Sequence, residues 1–88
     1  PDSQATREGL PRVEAELASL REEIDAMRSR WKSQRDQMAA IKDINTRIEE
    51  LKAEADRAER AGDLNRVAEI TYGTIRDLER SREQARLE

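Results

Sequence analysis

The chain has 88 residues, 42% of them charged and 35% hydrophobic, with one Trp, one Tyr and no Phe, Cys or His. Its 17 basic and 20 acidic residues leave a net charge of −3. These numbers exclude a bulky aromatic core, a disulfide framework, a zinc site of the usual ligands and any nucleophile–base pair built on Cys or His, and they give no general argument for nucleic acid.

An average soluble domain is nearer ~25% charged, and richness in Ala, Glu, Lys, Leu and Arg is the signature of long helices or a coiled coil. Apolar runs are too short to span a membrane. The chain opens on Pro1 with no Met and no leader-like apolar stretch, so it reads as a segment of a longer protein.

Residues 1–9 read as a leading turn, with Thr6 as a candidate helix cap and Pro11 tolerable only within the first turn or so. A long helix is expected over 10–61. Apolar residues recur at Leu10, Val13, Leu17, Leu20, Ile24, Met27, Trp31, Met38 and Ile41, with Gln34 filling the one missing position. Steps of three and four in alternation are an a/d heptad register. Ile44 then follows Ile41 by three again, and the seam resumes through Ile48, Leu51, Ala55 and Ala58. Two successive steps of three are a stammer, which turns the apolar stripe around the helix. The two halves of the helix should therefore face different partners.

Gly62-Asp63 is the expected tip. Gly suits the position just past a helix end, and Asp63 can cap the next helix. A two-residue break leaves an antiparallel hairpin, so residues 64–87, which carry Leu64, Val67, Ile70, Ile75, Leu78 and Ala85, should return over roughly 38–61. Gly73 interrupts the return, and Thr74 with Asp77 resembles a capping box with Asp in place of Glu. The return reads either as two short helices kinked at Gly73 or as one helix with a weak point. The fold class is all-α, an elongated antiparallel coiled coil.

The acidic pairs Glu22-Glu23 and Glu49-Glu50 belong to a solvated helix face, since nothing near them forms a pocket that would shift a pKa. Arg21, Arg28, Arg35 and Lys42 lie seven apart on one seam-flanking position, where charge commonly sets partner choice and orientation. Trp31 and Met38 fit seam packing. Tyr72 is open to two readings, a large amphipathic anchor for a partner or a side chain packed across the hairpin.

From Ala58 the chain runs Ala-Glu-Arg-Ala-Gly-Asp-Leu-Asn-Arg-Val-Ala-Glu-Ile-Thr-Tyr-Gly-Thr-Ile75. This stretch resembles the second-motif hairpin in the middle domain of ClpB-type protein disaggregases. Trp31-Lys32 lies where that family carries its Trp, and Asp2 to Leu10 resembles its turn into the long helix. The chain departs from the family at Arg76, where the family usually has Pro. The loss of that helix-start signal lets the return run through Gly73. By this resemblance the sequence starts at about the turn that follows the family's earlier helix, which pairs with the first half of the long one.

The resemblance implies a non-catalytic regulatory arm of a hexameric AAA+ machine, with ATP bound in the parent protein and no cofactor in this segment. It implies a cytoplasmic stress-response chaperone whose arm docks on the ATPase domains to repress and binds a DnaK-type chaperone to activate. The implied docking surface falls on Asp63, Leu64, Asn65, Arg66, Glu69 and Tyr72. The rival reading is a structural oligomerisation rod in which the Tyr-Gly stretch is only a kink. Under either reading no nucleic acid or membrane partner is expected. The apolar seam from Leu10 to Ile41 would make the isolated chain self-associate.

Overall fold

The computed structural model describes residues 3–88. Helix α1 spans Gln4–Arg60, α2 spans Leu64–Glu69, a π-helical turn spans Ile70–Thr74 and α3 spans Ile75–Leu87. No strand occurs among the described residues, so the chain is all-α as the heptads required. Among the described residues no helix is long and apolar enough to cross a membrane. The chain divides into two compact units, one ending at Ser33 and the other spanning Gln34–Glu88.

The first unit is the opening part of α1. The leading turn expected over 1–9 is corrected: Gln4 to Gly9 are already helical, and positions 1 and 2 lie outside the described residues. Ser3, not Thr6, caps the helix. Its Oγ accepts the Thr6 backbone N–H at 3.2 Å, while its carbonyl accepts the Arg7 N–H at 2.9 Å. Gln4 Nε2 adds a 3.0 Å bond to Glu8. Pro11 consequently sits inside the helix, where it cannot donate to the Arg7 carbonyl. An interior Pro costs ~3 kcal/mol, so the cap holds this turn against a real penalty. Every residue from Leu10 to Ser33 is exposed.

The second unit is the hairpin. Its core is Ile48, Leu51 and Ala55 of α1 against Ile70 and Ile75 of the return, with Ile44 and Leu78 packed beside them. Leu51 and Ile70 are 1% and 0% exposed, and burying each fully contributes ~1.5–3 kcal/mol. The expected stammer selects which face is covered. Met38, in the register of the first seam, stays 71% exposed, while its neighbour Gln37 is half-buried. From Gln37 the covered positions run through Ile41, Ile44, Ile48, Leu51, Ala55 and Ala58, a new heptad register that shares only Ile41 with the old one.

The turn closes as expected at Gly62. Its φ of 78° is left-handed, the Gly62 N–H reaches the Glu59 carbonyl at 3.0 Å, and the Asp63 N–H reaches Ala58 at 2.8 Å. This is a Schellman closure, which needs a residue free of Cβ strain at that position. Asp63 Oδ1 then accepts the Arg66 N–H at 3.1 Å and starts α2.

The return stays helical through Gly73, but not as a uniform α-helix. Ile70 and Ile75 are five residues apart, one too many for one face of an α-turn. The π-turn absorbs that residue: the Ile75 N–H bonds the Ile70 carbonyl, and both side chains reach the core. The capping box expected at Thr74 is corrected. Thr74 has helical φ and ψ and makes no side-chain cap, because the helical backbone runs unbroken from the π-turn into α3. At the far end Gln37 Nε2 donates to the Ala85 and Arg86 carbonyls at 2.7 and 2.9 Å. These are among the last carbonyls of α3, which have no partner within their own helix.

Candidate functional site

The six tip positions divide into two roles. Asp63 is the cap of α2. Arg66 is the centre of a charged clamp across the hairpin. Its Nη2 and Nε reach one oxygen of Glu54 at 2.7 and 3.1 Å, and its Nη1 reaches Glu69 at 3.0 Å. The Arg66 and Glu54 side chains are only 39% and 35% exposed, so the pair is better sheltered than the other pairs on these helices. The hydrogen bond from Arg66 holds the Glu54 carboxyl below its ordinary pKa, against the opposing effect of partial burial. The positive charges of Arg66, Arg47 and Arg57 add to the lowering. Arg66 is shifted up, first by its bond to Glu54 and then by its bond to Glu69.

The other positions face outward. Asn65 is exposed. Leu64 is 69% exposed. It lies in the first turn of a helix whose inward positions begin at Arg66 and Val67, so the cap at Asp63 turns it away from α1. Tyr72 is 72% exposed, so it does not pack across the hairpin. It belongs to the π-turn Ile70–Thr74, in which Ile70 is buried, Thr71 half-buried and Thr74 exposed like Tyr72. Tyr72 also heads a shallow groove of about 650 Å³ with Arg76, Glu79, Arg80 and Glu83. The tip therefore presents two large apolar side chains, Leu64 and Tyr72, on a backbone fixed by a cap, a clamp and a buried isoleucine.

The basic stripe is split between the units. Arg21 and Arg28 are exposed on the first, Arg35 and Lys42 on the second. Lys42 borders a mostly apolar groove of about 630 Å³ with Met38, Ile41 and Asn45.

Sequence reading missed Glu54, Gln37 and Asn45, whose partners lie across the hairpin. Asn45 Oδ1 accepts from Arg82 at 2.8 Å. The signal that could have found them is the reversal at Gly62, which brings the end of α1 alongside the start of the return.

No family model matches the chain, and no solved structure matches it. Curated relatives do. A chaperone protein ClpB of Mycobacterium leprae is 33% identical over 84 residues, covering 96% of this chain and 10% of that protein. One from Corynebacterium efficiens is 40% identical over 76 residues, covering 86% of this chain and 9% of that protein. One from Nitratidesulfovibrio vulgaris is 42% identical over 81 residues, covering 92% and 9%. By sequence, this helical chain is a relative of one segment of the ClpB chaperones, and it spans about a tenth of their length.

Proposed function

We propose that this chain is the middle-domain arm of a ClpB-type disaggregase. In this reading it is a non-catalytic regulatory coiled coil. Its tip docks on the AAA+ ATPase ring to repress and releases to bind a DnaK-type chaperone, which activates. ATP belongs to the parent protein, and the setting is the cytoplasm of a stressed cell.

The observation that carries the reading is Tyr72, 72% exposed on a turn anchored by the buried Ile70. An exposed Tyr on a fixed backbone gives a partner a large contact area with little ordering cost. Leu64 extends the apolar area, while Asn65 and Glu69 supply polar groups around it. Arg66 is cast here as a positioning residue that holds the tip, with its guanidinium already engaged by Glu54 and Glu69.

The test is Tyr72→Asp in the whole parent protein. The reading expects stimulation by the DnaK-type chaperone to be lost while unstimulated ATP hydrolysis persists. Full stimulation of a folded Tyr72→Asp protein would favour the structural rod.

A further inference from the structure

We propose that the return has two registers against α1 and that the π-turn is the element that moves between them. The equilibrium belongs to the hairpin alone, and its role in gating the tip rests on the regulatory reading.

The return carries two inward stripes. Counting back from Ile75 by four, eight and eleven residues gives Thr71, Val67 and Leu64, which share one face of a straight α-helix. Leu78 and Ala85 continue that face forward. A return with no bulge would set all six against α1. The forward part is used as counted: Ile75 is buried, and Leu78 and Ala85 are half-buried. Behind Ile75 the structure departs from the stripe. Leu64 is 69% exposed, while Ile70 is 0% exposed, although an unbroken α-helix would turn it about 140° from Ile75.

The extra residue of the π-turn makes the difference, with the Ile75 N–H bonded to the Ile70 carbonyl five residues back. Single π-turns are rare and recur at functional sites. Passing that residue from the π-turn into the Gly62-Asp63 turn rotates α2 by about 100°. Leu64 then swings in beside Val67, and Ile70 and Arg66 swing out. The exchange is near balance. One large aliphatic side chain replaces another, and Val67 serves both faces. Arg66 and Glu54 are 39% and 35% exposed, so water takes over the bonds they release. A Cβ at Gly62 or Gly73 would meet nothing within 4 Å, so packing locks neither end of the moving segment. The observed register is held by the burial of Ile70 and by the Arg66–Glu54 clamp.

The two registers present different tips. Leu64 and Tyr72 are both open in the observed one. In the second, Leu64 is withdrawn against α1. A partner that takes both side chains selects the observed register.

Relaxation-dispersion NMR on the methyl-labelled 88-residue chain reads the exchange directly. A second register populated at roughly 0.1–10% should give Leu64, Val67 and Ile70 one shared rate, independent of protein concentration, with Val13 and Leu20 flat. Deleting Gly73 sets Ile70 four residues before Ile75 and should quench the exchange at least severalfold. Ile70→Thr with Arg66→Ala removes both anchors and should bring the Leu64 methyls into NOE contact with α1, with helicity kept by circular dichroism. Flat dispersion at Leu64 and Ile70 would overturn the proposal. So would exchange that survives the Gly73 deletion, or a helical double variant in which Leu64 gains no contact with α1. The ATPase domain of a DnaK-type chaperone separates the two claims. Binding should suppress the exchange at Leu64, and binding that leaves it unchanged would overturn the gating role. Exchange as predicted with no binding would uphold the two registers and contradict only the regulatory reading.

Discussion

Arg66 and Glu54, twelve residues apart in sequence, meet across the hairpin through two guanidinium nitrogens on one carboxylate oxygen. Together with Asp63 on the Arg66 backbone, this ties the start of α2 to α1 just where the chain has reversed. The core lies further along, at Ile70 and Leu51, so the first turn of the return depends on polar contacts for its position.

Arg66→Ala should therefore loosen the tip without unfolding the hairpin. Amide exchange over 63–69 should speed up severalfold, while exchange at Ile70 and beyond keeps its protection. Arg66→Lys should recover only part of the order, since an ammonium cannot offer two forked donors to one carboxylate. Raised salt should mimic the substitution weakly, because the pair is part-exposed and screened.

The same contact has a pH signature. Glu54 has a lowered pKa in the folded hairpin, so its contribution is fully present above the unfolded Glu value of ~4.3. It is lost as pH falls through the folded value, where the carboxylate takes up a proton. Glu83, lowered by its bond from Arg86, acts in the same window and the same direction. Thermal melts between neutral pH and the acid side of that value should show stability falling as pH drops. Glu54→Gln should flatten part of the dependence.

Core and tip should respond oppositely to truncation. Leu51→Ala removes a side chain that is 1% exposed and should cost ~2–5 kcal/mol, a large share of what so small a hairpin has. Tyr72→Asp changes a side chain 72% exposed and should stay within ~0.5 kcal/mol. Denaturant melts followed by circular dichroism separate the two.

Most of the fold is legible in the heptads. The stammer between Ile41 and Ile44 marks where the covered face changes, and Gly62-Asp63 marks the reversal, because both are local properties of spacing and backbone freedom. The start of α1 was misjudged since Pro11 was weighed more heavily than the Ser3 cap, and tertiary context does not show in propensity. Gly73 and Thr74 read either as a kink with a cap or as a weak point in one helix, and neither reading specifies a π-turn. The step of five from Ile70 to Ile75 was the better signal, since a buried face must stay in phase. At the site, Leu64 is apolar yet faces outward, because the cap at Asp63 sets the phase of α2 and turns it out. The clamp partner Glu54 was illegible to i,i+3 and i,i+4 rules because its partner is on the other helix.

The two glycines of the hairpin make the backbone account testable. Gly62 has a left-handed φ, so Gly62→Ala should destabilise by ~1 kcal/mol despite open space for the methyl group. Gly73 is helical and a Cβ there would meet nothing within 4 Å, so Gly73→Ala should stabilise by ~0.5–1 kcal/mol. Deleting Gly73 should leave the hairpin folded, because Ile70 and Ile75 would then stand four apart on one α-helical face.

The most direct test of the regulatory reading is a titration of the isotope-labelled chain with the ATPase domain of a DnaK-type chaperone, followed by NMR. The account predicts shifts confined to about 62–75, centred on Leu64 and Tyr72, and abolished by Tyr72→Asp with helicity unchanged. A folded hairpin that shows no shifts at saturating partner, or shifts that survive Tyr72→Asp, would contradict it.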